Sequence, residues 1–324
     1  MTRVPALFVV AVGLPVIATA IAIARPPAAS AAAGEGAEMC ARNIADLSGT
    51  AAIPAGAYTM GSDSWYPEES PAREAQVAAF DIDQHEVTNG QFAEFVAATG
   101  YVTLAERTPD PADFPDIDPD ALVAGSAVFV AGKGPQDAGQ WRFVPGASWR
   151  APMGPGSTLE GREEYPVVHV AYEDAAAYAA WRGRRLPGEA EWERAARAGL
   201  DRATYEWGSE LAPEGEWRAN TWQGTFPLTD RGEDGFIGAA PAACYEPSEY
   251  GLYDMTGNVW EWTADDYFGD PARAVVKGGS FLCAESYCAR YRPAARQPYE
   301  RNFSASHLGF RTAGDVPAEA ASGS

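Results

Sequence analysis

At 324 residues, 46% of them hydrophobic, the chain can bury a sizeable core as one large domain or two ordinary ones. Ten Trp, 33 Gly and 25 Pro point to a loop-rich fold plugged by aromatic side chains. A net charge of −21 argues against nucleic acid or anionic lipid as a partner, since phosphate is repelled over the whole surface.

Residues 1–33 read as an export signal. Arg3 precedes an uncharged, mostly apolar run from Ala6 to Ala24; Arg25-Pro26-Pro27 ends it, and the alanines that follow suit a signal peptidase. The run is also long enough for a membrane anchor, which needs roughly 20 residues. Cleavage would remove Arg3 and Arg25 and take the net charge from −21 to −23. Residues 34–49 are small and polar and read as a linker, the folded domain being expected over 50–315 and a flexible tail over 316–324.

The stretch from Ala51 to Ser62 predicts strand, turn and strand, with Pro54-Ala55-Gly56 as the reversal. Val77 to Asp83 alternates apolar and acidic residues in its second half, as a half-buried strand does. Thr88-Asn89 caps a predicted helix with Phe92, Phe95 and Val96 on its apolar face and Gly100 as its stop. From Thr108 to Gly134 the pattern mostly dissolves, and a strand-like pattern resumes over 142–150. Two helices follow, over 172–181 and over 188–198, the second closed by Gly199. His169, between valines, reads as a hydrogen-bonded core histidine.

Two acidic segments bring side-chain and main-chain oxygens together as a hard cation with six to eight ligands requires, without the spacing of an EF-hand. One joins 220–224 to the loop 230–236. The other spans 254–261, where Asp254 and Glu261 can close on the carbonyls of Gly257 and Val259. Each also reads as an ordinary acidic turn.

The densest collection of polar function is the stretch 277–296. Gly278-Gly279 permits positive φ or a close approach of another chain, as the wall of a cleft needs. Cys283 and Cys288 are too far apart for a Cys-x-x-Cys redox pair, but a bend brings both sulfurs to one centre, and two thiolates favour a soft monovalent ion such as Cu(I). Zinc would want four ligands, and none of His85, His169 and His307 is near in sequence. Arg290, Arg292 and Arg296 add forks suited to a peptide's carboxylate or carbonyl. A small disulfide loop in an exported protein accounts for the same spacing.

The run GGSFLCAESYCARYRPAAR and the later SASHLGFR closely resemble the C-terminal signature of formylglycine-generating enzymes, which convert a sulfatase cysteine to Cα-formylglycine. The resemblance extends from Ile53 to Ala313, with the landmarks IPAGAYTMGS, HEVTN, RLPGEAEWERAARAG, YGLYDMTGNVWEW and LGFR in the family's order. It implies a single compact α+β domain with little regular secondary structure, related to C-type lectins. It also implies that Cys283 and Cys288 hold Cu(I) as a near-linear bis-thiolate, with Ser280 and Tyr287 as hydrogen-bonding neighbours. Trp260, Arg296 and His307 would then line a groove for a Cys-x-Pro-x-Arg peptide of an unfolded or partly folded sulfatase, with O2 and a thiol or other reductant as co-substrates. Calcium is expected at Asn220, Thr221, Asp234 and Phe236, and again at Asp254, Gly257, Val259 and Glu261, where Asp254 replaces a common asparagine.

With Cys283 and Cys288 reserved for chemistry, Cys40 and Cys244 become the disulfide candidate of an exported, extracytoplasmic protein, although four cysteines allow three pairings. Pro293 and Thr312 stand where eukaryotic members carry structural cysteines, so those bridges do not transfer. The competing reading is an exported, non-catalytic binding paralogue in which Cys283 and Cys288 form an inert disulfide. A sulfoxide synthase with non-haem iron would want a histidine-rich site, which three scattered histidines do not suggest. A monomer is the default expectation.

Overall fold

The computed structural model describes residue 40 and residues 49–316, apart from 114, 117 and 133–135. The export segment at 1–33 and the tail beyond 316 lie outside the described residues. Among the described residues no helix is long and apolar enough to cross a membrane.

Among the described residues, four small sheets and three helices surround two large apolar clusters. β1 (Thr50–Ile53) pairs antiparallel with β4 (Phe80–Asp83), which pairs on its other edge with β11 (Ala313–Asp315), so the two ends of the domain close in one sheet. β2 (Gly56–Met60) pairs instead with β3 (Arg73–Val77). The expected reversal at Pro54-Ala55-Gly56 is therefore not a hairpin. Both strands send residues into one cluster, Ile53 from β1 and Tyr58 and Met60 from β2, packed with Trp192; burying that face from two sheets outweighs local pairing.

Helix α1 (Asn89–Thr99) starts at a Thr88/Gln91 capping box, buries Phe92, Phe95 and Val96, and ends at Gly100 with φ 69°. α2 (Tyr172–Trp181) buries Ala175, Tyr178 and Ala179. α3 (Glu189–Arg197) buries Trp192 and turns left-handed at Ala198, one residue ahead of the expected Gly199. The stretch read as irregular over 108–134 contains β5 (Gly125–Val130), which forms a hairpin with β6 (Gln140–Pro145).

The largest sheet carries the site. β7 (Trp260–Tyr267), β8 (Asp270–Lys277) and β9 (Arg296–Glu300) run antiparallel in sequence order, and β10 (Leu308–Gly309) lies parallel against β7. The connection from β8 to β9 is the cysteine segment itself. Under it, Lys277 is fully buried and paired with Glu193 at 2.9 Å, which also pairs with Arg197 at 2.8 Å.

Cys40 forms a disulfide with Cys244, 204 residues away, and packs on Ala240 and Tyr245. The packed body thus reaches back into the stretch read as a linker.

Candidate active site

The β8–β9 connection is stitched down by its backbone. Gly257 N–H donates to Gly278 O at 2.9 Å, Phe281 N–H to Asn258 O at 2.8 Å, and Trp222 N–H to Cys283 O at 3.0 Å. Gly278 and Gly279 sit at φ 93° and 78°; a Cβ on Gly279 would stand 2.9 Å from Tyr291 N, so both the conformation and the close approach require glycine. Within the loop, Cys283 N–H donates to Ser280 O and Cys288 N–H to Ala284 O, each at 2.8 Å. That turn brings the two sulfurs, five positions apart in sequence, to 2.9 Å.

Both cysteines are free and buried. Their environments act on them in opposite directions. Burial, together with donation to Cys288, pushes the Cys283 thiol up, whereas that same hydrogen bond, supported by Arg290, pulls Cys288 down to about 7. Arg290 Nη1 stands 4.0 Å from Cys288 Sγ. Its guanidinium stacks on Tyr66 at 3.9 Å and pairs with Glu68 at 2.5 Å. Cys288 is thus the more readily ionised sulfur of the pair, and it lies beside a fixed cation.

The sulfurs open onto a cavity of about 270 Å³ lined by Trp141, Phe226, Trp260, Tyr287, Tyr299 and His307, among others. Ser280 Oγ lies 3.0 Å from His307 Nδ1, and Tyr299 Oη 3.0 Å from His307 Nε2. Burial holds the His307 ring neutral, its pKa pushed down to about 3. With one N–H and one lone pair, the neutral ring joins the two hydroxyls in a chain from beside the cysteines to Tyr299. Tyr287 is 65% exposed and stacks on Phe226 at 4.5 Å, which makes it a rim of the cavity. Trp260 is buried and forms part of the wall.

The three arginines are not free forks. Glu68 holds Arg290, Glu69 takes Arg292 bidentately at 2.8 and 2.5 Å, and Glu189 takes Arg296 at 2.7 Å. Arg296 lines a neighbouring acidic cavity with Glu68, Asp266 and Phe268, not the cysteine cavity. Trp141, Phe226, Tyr299 and Glu68 were not anticipated. They come from the β5–β6 hairpin, a loop near 226, β9 and the segment before β3; spacing along the chain carries no sign of that convergence.

The donor set suits a soft monovalent ion. Two sulfurs face each other, and both nitrogens of the nearest histidine are already hydrogen-bonded. At 2.9 Å the sulfurs must separate to admit an ion between them.

For calcium, Asp234 accepts from Thr221 N–H at 2.8 Å and Phe236 N–H at 3.0 Å, which gathers the first expected ligand set. Burial without a cationic partner pushes this carboxyl up to about 7, the deficit a hard cation would answer. Asn258 joins both loops, accepting from Asn220 Nδ2 at 3.1 Å and donating to Glu86 at 3.0 Å. In the second set Glu261 is already neutralised by Arg311, at 2.7 and 2.8 Å, and accepts from the Trp192 indole N–H at 2.7 Å. The uncompensated charge lies on Asp254, pushed up by burial to about 6. Glu86 and Glu206 beside it each keep one oxygen without a hydrogen bond. Asp254 thus fits a cation better than Glu261 does.

Residues 37–316 match the model of the sulfatase-modifying factor enzyme 1-like domain. The chain is 46% identical over 289 residues to the formylglycine-generating enzyme of Mycobacterium tuberculosis, covering 81% of this chain and 96% of that one. It is 49% identical to the formylglycine-generating enzyme of Thermomonospora curvata, covering 82% and 93%. Among solved structures, PvdO from Pseudomonas aeruginosa superposes with a TM-score of 0.55 at 25% identity, covering 82% and 94%.

Proposed function

The chain belongs to the sulfatase-modifying factor family of formylglycine-generating enzymes, and from that premise we propose that it oxidises the cysteine of a Cys-x-Pro-x-Arg segment in a sulfatase to Cα-formylglycine, using O2 and Cu(I) held by Cys283 and Cys288. The observation that carries this reading is the pair of free, buried sulfurs 2.9 Å apart at the wall of a cavity. The binding paralogue with an inert disulfide would want a sulfur separation of about 2.05 Å and no thiolate.

The balance is one cysteine side chain, one O2, two electrons and two protons in, and one aldehyde, one hydrogen sulfide and one water out. A small thiol is the reductant that supplies the electrons. The bound ion would supply the one-electron chemistry that activates O2. Around it the chain's own residues bind, orient and exclude water. Cys288, the sulfur whose pKa is pulled down, is the easier of the two to deprotonate as a ligand. The Ser280–His307–Tyr299 chain offers a route for a proton leaving the substrate thiol. Trp260, Tyr299 and the Tyr287–Phe226 stack wall the peptide cysteine from solvent. In the same proposal the protein is exported, meets its sulfatase while the target cysteine is still accessible, and carries calcium in a structural role at Asp234 and at Asp254.

The metal step is tested by anaerobic titration of Cu(I) against a competing chelator. A single tight site, lost in Cys283→Ser and in Cys288→Ser, is the expected result. Failure of the reduced protein to compete for copper would remove the metal from the mechanism.

A further inference from the structure

Beside the cysteine cavity lies a larger groove, of about 650 Å³, and Leu282 lines both. Phe129, Val168 and Phe281 contribute to its apolar wall, while Met153 and Ile237, 57% and 72% exposed, stand at its mouth. Two buried polar groups in the wall have no hydrogen-bond partner among the described residues: the indole N–H of Trp222 and Oδ1 of Asn89. Their side chains belong to residues only 8% and 5% exposed. Asn89 commits its amide N–H to Arg162 O at 2.9 Å, which leaves the oxygen as the unused end. Burial of an unused donor and an unused acceptor is costly unless a ligand arrives to take them.

One unused donor and one unused acceptor beside an apolar wall match the C=O and N–H of an extended backbone with apolar side chains. We infer that the groove binds the residues on the amino-terminal side of the substrate cysteine, with Trp222 donating to a backbone carbonyl and Asn89 accepting from a backbone N–H. The inference rests on the proposed function and adds a second binding region to it. The other side of the cysteine suits the groove poorly. Its proline has no N–H to give Asn89. Its arginine finds one carboxylate there, that of Asp230, which already accepts from Gln223 N–H and Gly232 N–H at 3.2 Å each. The occupant is also spatially constrained, because a peptide whose cysteine reaches the sulfurs past Leu282 has the groove directly beside its path.

The test uses peptides in which serine replaces the reactive cysteine, with binding read by fluorescence anisotropy. One starts at that serine and ends at the motif arginine; a second adds about six apolar residues before it, a reach of about 20 Å when extended; a third adds the same length of Gly and Ser. The apolar extension is expected to tighten binding by about tenfold or more. The Gly/Ser extension should bring no such gain. Ile237→Glu at the exposed mouth should abolish the gain without changing affinity for the short peptide, and Trp222→Phe, which deletes the N–H, should reduce it several-fold. Equal affinity for all three peptides, or a gain that survives both substitutions, would overturn the inference. Turnover of the short cysteine peptide reports separately on the proposed function: conversion without any benefit from the extension removes only the groove, whereas binding without conversion removes only the chemistry.

Discussion

His169 has φ 62°, donates Nε2–H to Pro152 O at 2.8 Å and accepts at Nδ1 from the Ser126 hydroxyl, also at 2.8 Å. Burial keeps this ring neutral until about pH 4, whereas in the unfolded chain it takes its proton near 6.5. The unfolded state therefore binds more protons between those values, and stability falls as pH falls through that window. His169→Asn, which tolerates positive φ, should flatten this dependence. Wild type is expected to lose about 3 kcal/mol more unfolding free energy than the variant between pH 7 and pH 4, measured by denaturant titration at each pH. Parallel slopes would contradict the assignment. The core role of this histidine was legible in its valine neighbours. Its counterpart His307 was placed in the site by resemblance, but its two hydroxyl partners were not, because Tyr299 and Ser280 meet it only once β9 and the cysteine loop are folded.

At the level of elements, α1 could be read almost residue by residue, since cap, apolar stripe and terminal glycine are all local signals. The sheet β7–β8–β9 was not read at all. Its first strand starts inside the segment taken for an acidic loop, and Trp260-Glu261-Trp262-Thr263 is buried on every residue, so no alternation marks it. Long-range pairing was equally silent: nothing near Pro54 indicates that β1 and β2 join different sheets. The loops over 220–236 and 254–261 show what local reading can do, since their oxygens are visible in sequence while their charge balance is not. A cation at Asp234 should appear as linkage. Chelation is expected to lower the melting temperature of wild type by several degrees, as loss of a native-state ligand does; Asp234→Ala should start lower and respond less, the remaining response belonging to the site at Asp254. Identical melting curves with and without chelator would exclude a structural cation.

For the whole molecule, the same arrangement recurs at two distances from the sulfurs. Close in, Arg290, Glu68 and Tyr66 hold the charge beside Cys288; farther out, Arg292 with Glu69 and Arg296 with Glu189 brace the same connection from β3's side and from α3. Arg290, Arg292 and Arg296 are each already held by a carboxylate, and the wall of the cysteine cavity is largely aromatic. The Cys40–Cys244 bridge joins residues 204 positions apart and leaves Cys283 and Cys288 free. The central claim is that those two thiols perform the oxidation, and it is tested most directly by incubating purified protein with Cu(I), air, a small thiol and a Cys-Thr-Pro-Ser-Arg peptide, and following aldehyde formation by mass spectrometry. Copper-dependent conversion of the peptide cysteine is expected, with loss of at least about a thousandfold in rate in both Cys283→Ser and Cys288→Ser. Folded, reduced, copper-loaded protein that forms no aldehyde, or serine variants that retain the wild-type rate, would contradict it.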